Sequence, residues 1–204
     1  TLFITIPAMA GLLVCSTPIF SLLFMGGAFD YAKAVNSAQA LVYYSLGLSF
    51  VALTRVLAPA FYALGDTRTP VVAAFITFLL NLGFSLALMG PLKHGGLALA
   101  TTLSACANMA MLLWFLRRKI GRFGGRTVVG SGLKALVAAL PMTLLVYYAC
   151  RLCDWSQAGH KALKALTLGG AIGAGVMVYA VSARLVRSEE ALEVLSMIKR
   201  RLGR

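Results

Sequence analysis

Val71–Met89 reads VVAAFITFLLNLGFSLALM, a run without one charged side chain. At a rise of 1.5 Å per residue, a helix of that length covers close to the ~30 Å hydrocarbon thickness of a bilayer. A surface helix of a soluble domain would carry a polar face along such a length, and this stretch has none. Outward from it lie five more blocks of the same kind: Leu2 to Met25, Val35 to Leu64, Leu97 to Leu116, Leu133 to Cys150 and Ala165 to Ala183. The whole chain agrees, with 60% hydrophobic residues, 12% charged residues and a mean hydropathy of +0.86, where a soluble domain is about one quarter charged. The expected fold is all-α, a polytopic integral membrane protein with six transmembrane helices.

Turn signals separate the blocks: Gly26-Gly27, then Gly65-Asp66-Thr67-Arg68-Thr69-Pro70, then Gly90-Pro91 with His94-Gly95-Gly96. In the second, Gly65 suits the left-handed position after a helix, Thr69 the cap of the next and Pro70 its first position. The chain divides into four spans over 1–116, a basic loop over 117–132, two further spans over 133–183 and a basic tail over 184–204. In the tail, Leu192, Leu195, Ile198 and Leu202 recur at helical spacing behind Ser188, the pattern of an amphipathic helix on a membrane surface or on a partner. The first block opens at Thr1 without a charged leader segment, so it does not read as a signal peptide. A piece of a longer chain, with more spans upstream, is expected.

The formal net charge of +13 raises the question of an anionic polymer. Counted on alternate sides of the spans, one side holds Arg68, the cluster from Arg117 to Lys134 and the tail from Arg184 to Arg204. That is 13 cations against five on the other, Lys33, Lys93, Arg151, Lys161 and Lys164. Short cytoplasmic loops retain cations, so both ends of the chain are assigned to the cytoplasm. Cations sorted this way report topology and contact with anionic lipid headgroups. No nucleic-acid partner is expected.

One cation falls inside a span. Arg55 precedes Leu64 by nine residues, about 13 Å along the helix. A charge at that depth faces protein or water and marks a substrate path. Pro59 follows by four residues and removes the N–H that would bond the Arg55 carbonyl, which favours a kink beside the charge. A guanidinium offers forked donors to an anion, phosphate above all; the alternatives are a snorkelling side chain or a carboxylate partner elsewhere.

Asn81 and Ser85 share a face of the third span, and Thr101, Thr102, Ser104 and Asn108 lie on the fourth. Such groups glue membrane helices by hydrogen bonds, and Asn81, Ser85 and Thr101 are the weaker candidates for a coupling-cation site of oxygen ligands. Cys150 and Cys153 make a C-x-x-C at the non-cytoplasmic end of the fifth span, yet without further ligands or a redox fold they read as structural, a periplasmic disulfide being the alternative; Cys15 and Cys106 read as small packing residues. No nucleophile–base set, metal triad or phosphate-binding lysine loop occurs, so neither enzyme activity nor a cofactor nor a bound metal is expected.

The stretches VLAPAFYALGDTRTP (Val56–Pro70), GPLKHGGLALATTLSACANM (Gly90–Met109) and IPAMAGLLVCSTPIFSLLFMGGAFD (Ile6–Asp30) resemble the MurJ (MviN) family of lipid II flippases. That family belongs to the multidrug/oligosaccharidyl-lipid/polysaccharide exporter superfamily. The resemblance implies a fourteen-helix, two-lobe transporter of which these six are the ninth to fourteenth helices. It implies a bacterial inner-membrane protein that moves the undecaprenyl-pyrophosphate-linked peptidoglycan precursor by alternating access, completed by an N-terminal lobe. By position, Arg55 matches a cationic site of the tenth span, and the spans from Leu133 and Ala165 match the pair lining a lipid groove. Pro59 and the Gly65–Pro70 turn are expected to flex, with Asp66 and Arg68 pairing as the lobes rock or simply stabilising the turn. No carboxylate accompanies Asn81 and Ser85, a departure that bears on sodium coupling. The rival classes are an exporter of drugs or of another polyprenyl-linked saccharide, and a non-transporting scaffold for cell-wall enzymes.

Overall fold

The computed structural model describes residues 1–26, 30–121, 125–155 and 161–186, with the backbone alone at 125–128. Six helices make up almost all of it: α1 (Leu2–Phe24), α2 (Tyr31–Ala63), α3 (Arg68–Leu92), α4 (His94–Ile120), α5 (Gly125–Arg151) and α6 (Lys161–Leu185). All six are long and apolar enough to cross a membrane. The amphipathic element expected from Ser188 to Arg204 lies outside the described residues.

The helices stand in a row: α3 packs on α4, α4 on α2, α2 on α1, and α1 on both α5 and α6. Two apolar clusters hold the row together. Leu57, Phe61, Ala73, Leu112 and Leu116 join α2, α3 and α4, while Ile6, Ala138, Met142, Val146 and Tyr179 are among those joining α1, α5 and α6. Helices in lipid associate by close backbone approach rather than by water exclusion. At Gly47 of α2, an added Cβ would lie 2.7 Å from Thr102 Oγ1 and 3.3 Å from Thr102 Cα of α4. The same Thr102 hydroxyl donates to the Tyr43 carbonyl at 2.6 Å, so the glycine lets the α2–α4 crossing close.

The turns differ in detail from those expected. Gly65 takes φ +70°, the left-handed exit predicted for it. Thr69, however, does not cap α3 but is its second residue, and Pro70 takes the third position, within the first turn. The capping group is Asp66, whose Oδ1 accepts from the backbone N–H groups of Arg68 (3.1 Å) and Thr69 (3.0 Å). A carboxylate is the stronger acceptor and suits the positive end of the helix dipole. Between α3 and α4 the expected multi-residue break shrinks to Lys93, at φ 49°. Gly90 and Pro91 end α3, and Gly95 and Gly96 begin α4 pressed against the Tyr43 ring and the Leu88 carbonyl. The basic loop narrows likewise, because Arg117, Arg118 and Lys119 form the last turn of α4, where cations complement the helix dipole. Arg118 also stacks on Trp114, 3.9 Å from the ring centre.

Candidate functional site

Arg55 sits on the exposed face of α2, in line with Tyr44, Val51, Pro59 and Tyr62, while Ser45, Ser49, Leu57 and Phe61 bury the other side. The helix runs unbroken through Pro59. Among the described residues no carboxylate pairs with the Arg55 guanidinium. Its charge is therefore offered outward about two turns before the end of α2, with the donor fork free to engage an anion.

The turn at the end of α2 is held otherwise than expected. Asp66 and Arg68 make no side-chain ion pair; Arg68 is exposed and contributes only its backbone N–H. Asp66 Oδ2 instead takes the ammonium of Lys119, from the last turn of α4, and the Thr69 hydroxyl at 2.5 Å. Donation from Lys119, with that from the Thr69 hydroxyl and N–H, holds the Asp66 carboxyl well below the usual carboxylate range. Pro59, Gly65, Asp66 and Arg68 thus follow one another along the α2–α3 corner, and Lys119 clamps that corner to α4.

Asn81, Ser85 and Thr101 do come together. Asn81 Nδ2 donates to Ser104 Oγ at 2.9 Å and reaches Thr101 Oγ1 at 3.5 Å, while Ser85 Oγ donates to Asn81 Oδ1 at 3.4 Å. Thr101 and Ser104 in turn bond carbonyls of their own helix, to Leu97 and Thr101. The cluster bridges α3 and α4, and no group of three or more His, Cys, Asp or Glu side chains suited to a metal occurs among the described residues.

The second feature is an apolar groove of about 650 Å³ between α1, α5 and α6. Pro7 and Gly11 line it from α1, Met142 and Val146 from α5, and Ile172 and Val176 from α6. The family resemblance implied a groove lined by α5 and α6; α1 lines this one as well. Pro7 explains how the groove is closed at one end. Lacking an N–H, it leaves the Phe3 carbonyl without its helical donor, and the Tyr179 hydroxyl of α6 supplies one at 2.7 Å. The two rings pack with centres 5.2 Å apart.

Near the opposite end, Ser21 Oγ donates to the Trp155 carbonyl at 2.6 Å, and Trp155 Nε1 to the Cys150 carbonyl at 2.6 Å. Lys164, counted from sequence with the loop cations, lies one turn inside α6 and is buried, its ammonium 5.8 Å from the Trp155 ring centre. Its apolar stem packs inward while the charge finds an aromatic face.

Comparison with known proteins gives a consistent answer. The family model described as "Lipid II flippase MurJ" matches residues 1–166. "Probable lipid II flippase MurJ" of Rhizobium meliloti is 35% identical over 210 aligned residues, which cover 100% of this chain and 38% of that protein. The "Probable lipid II flippase MurJ" of Vibrio cholerae is 34% identical over 178 residues, covering 87% of this chain and 34% of the relative. "Lipid II flippase MurJ" of Thermosipho africanus is 35% identical over 119 residues, covering 57% and 25%. The chain spans little more than a third of the curated relatives it matches. Six membrane-length helices and a family match over most of the sequence lead to one conclusion: the chain belongs to the MurJ family.

Proposed function

We propose that this chain is the C-terminal part of a lipid II flippase of the bacterial inner membrane, working by alternating access together with an N-terminal lobe. The observation that carries the reading is Arg55, a guanidinium about two turns inside the end of α2, presented on an exposed face in a chain that also holds an apolar groove. A polyprenyl diphosphate has those two needs, a cationic seat for its phosphates and a dry channel for its tail. The α1–α5–α6 groove takes the tail, and Arg55 attracts the diphosphate. The basic ends of α4 and α6 face the cytoplasm, where anionic headgroups hold them. Pro59 and the corner from Gly65 to Arg68 flex as the lobes rock, with the Asp66–Lys119 clamp keeping α2 and α4 moving as one body. The work is transport, with no bond of the substrate broken. The cluster of Asn81, Ser85 and Thr101 keeps α3 on α4; as a seat for a coupling cation it offers only neutral oxygens, one of them bonded to Ser85.

The test places Arg55→Ala and Arg55→Lys in the full-length transporter, assayed for flipping of lipid-linked precursor and for growth after depletion of the native copy. The Ala variant is expected to lose activity and the Lys variant to keep part of it. Full activity of the Ala variant overturns the role given to Arg55.

A further inference from the structure

Cys150 lies in the last turn of α5 and Cys153 in the turn that follows. The Leu152 N–H bonds the Ala149 carbonyl at 3.2 Å, so the chain keeps winding past the helix end. Residues three apart on such a turn face the same side with their Cβ atoms about 5–6 Å apart, close enough for a small adjustment to bring two sulfurs into bonding range. The fold adds a thiol that no sequence spacing reveals. Cys15 of α1 and Cys150 belong to one buried apolar cluster, against which Cys153 packs, so three cysteines gather at this end. Exposure separates them: Cys15 is 2% exposed and Cys150 7%, while Cys153 is only half-buried. The turn is also anchored, because Trp155 bonds the Cys150 carbonyl through its indole and receives the Ser21 hydroxyl on its own carbonyl. Neither Arg55 nor the Asp66 corner uses any of these groups.

We propose that Cys150 and Cys153 form a thiol–disulfide site at the outer end of α5, with Cys15 as a buried neighbour that stays reduced. The Cys153 thiolate attacks the disulfide of an oxidant, a protein or glutathione disulfide, and one oxidant thiol leaves. The Cys150 thiolate then attacks the Cys153 sulfur of the mixed disulfide, and the second oxidant thiol leaves. Two thiols of this chain have lost two electrons and two protons, and the oxidant disulfide has become two thiols. Cys15 takes no part because it is 2% exposed and faces the apolar groove rather than water. Closure pins the turn that Trp155 ties to α1, and with it the outer end of the groove.

That this end faces an oxidising compartment rests on the orientation given under Proposed function, so the two are tested apart. Labelling of Cys153 in the full-length protein by a membrane-impermeant maleimide, after brief reduction of intact cells to open any disulfide, reads the orientation. Labelling only after the membrane is opened overturns the orientation and leaves the chemistry to the second arm. In that arm the purified full-length protein is treated with oxidised glutathione, blocked with N-ethylmaleimide, digested and analysed by mass spectrometry. A looped peptide linking Cys150 to Cys153 is expected, with Cys15 blocked only after denaturation. Absence of the loop overturns the proposal, and so does a link from Cys15 to Cys150. In Cys153→Ser, Cys150 is expected to remain a free thiol; its capture by Cys15 overturns the role given to Cys15.

Discussion

Lys119, in the last turn of α4, donates to Oδ2 of Asp66, in the corner between α2 and α3, across a sequence separation of 53 residues. The same carboxylate caps α3 through two backbone N–H groups. One side chain therefore sets the start of α3 and fastens that corner to α4. Asp66→Ala is expected to lower the melting temperature in detergent more than Lys119→Ala, because it removes the cap as well as the pair. In the double variant the two losses should not add. The pH dependence follows from the sign of the shift. The folded carboxyl titrates below its ordinary value of 3.8, so its contribution is complete above that value and is lost as pH falls below it toward the folded pKa. The gap in melting temperature between the native protein and Asp66→Asn should stay flat from about pH 6 to 8 and narrow only below about pH 4.

Tyr179 and Phe3 yield a second prediction, centred on Pro7. Because Pro7 has no N–H, the Phe3 carbonyl depends on the Tyr179 hydroxyl for its hydrogen bond. Tyr179→Phe keeps the ring contact and strands that carbonyl in an apolar setting, at a cost of about 1–3 kcal/mol. Pro7→Ala restores the helical donor. The Tyr179→Phe penalty, measured by thermal or denaturant unfolding, should then shrink by at least half in the Pro7→Ala background. An unchanged penalty would mean that the hydroxyl serves another partner.

Gly47 lies where α2 crosses closely over Thr102 of α4. Gly47→Ala puts a methyl group 2.7 Å from Thr102 Oγ1. The hydroxyl can escape only by leaving the Tyr43 carbonyl, and the Thr102 backbone at 3.3 Å cannot follow. The expected loss is about 1–3 kcal/mol. Thr102→Ala in the same chain should recover part of it, which separates crowding from any loss of backbone freedom at the glycine.

Much of this was legible in the sequence, for a physical reason. A bilayer demands long uncharged helices, so Val71–Met89 announces its span without reference to any partner. Arg55 stood out by the same logic, as the charge where none belongs. Helix ends were less legible, because α3 begins at Arg68 and α6 at Lys161, residues whose polarity suggests loop. Lys164 was misplaced for that reason, its burial depending on where Trp155 folds back. Partners that lie far apart in sequence were not legible. Asp66 signalled a turn, yet nothing local distinguishes Lys119 from Arg68 as its cation; the packing of α4 on α2 decides it. Tyr179 as donor to the Phe3 carbonyl, 176 residues away, is likewise decided by the packing of α6 on α1.

The groove separates two roles that a transport assay alone would merge. If the polyprenyl tail lies between α1, α5 and α6, filling that space should impair substrate handling without touching Arg55. Ala8 and Ala180 line the groove from α1 and α6 and are exposed to it, so a larger side chain there disturbs no buried packing. Ala8→Trp and Ala180→Trp in the full-length transporter are therefore expected to fold normally, judged by melting temperature and gel filtration. Each should weaken binding of a long-chain polyprenyl diphosphate by about tenfold, equivalent to 1.4 kcal/mol. Binding of a water-soluble short-chain diphosphate, which has no tail to place, should be unchanged. Arg55→Ala should do the reverse in part, weakening both ligands alike because it acts on the phosphates they share. If the tryptophan variants bind the long-chain ligand as well as the native protein does, the tail lies elsewhere.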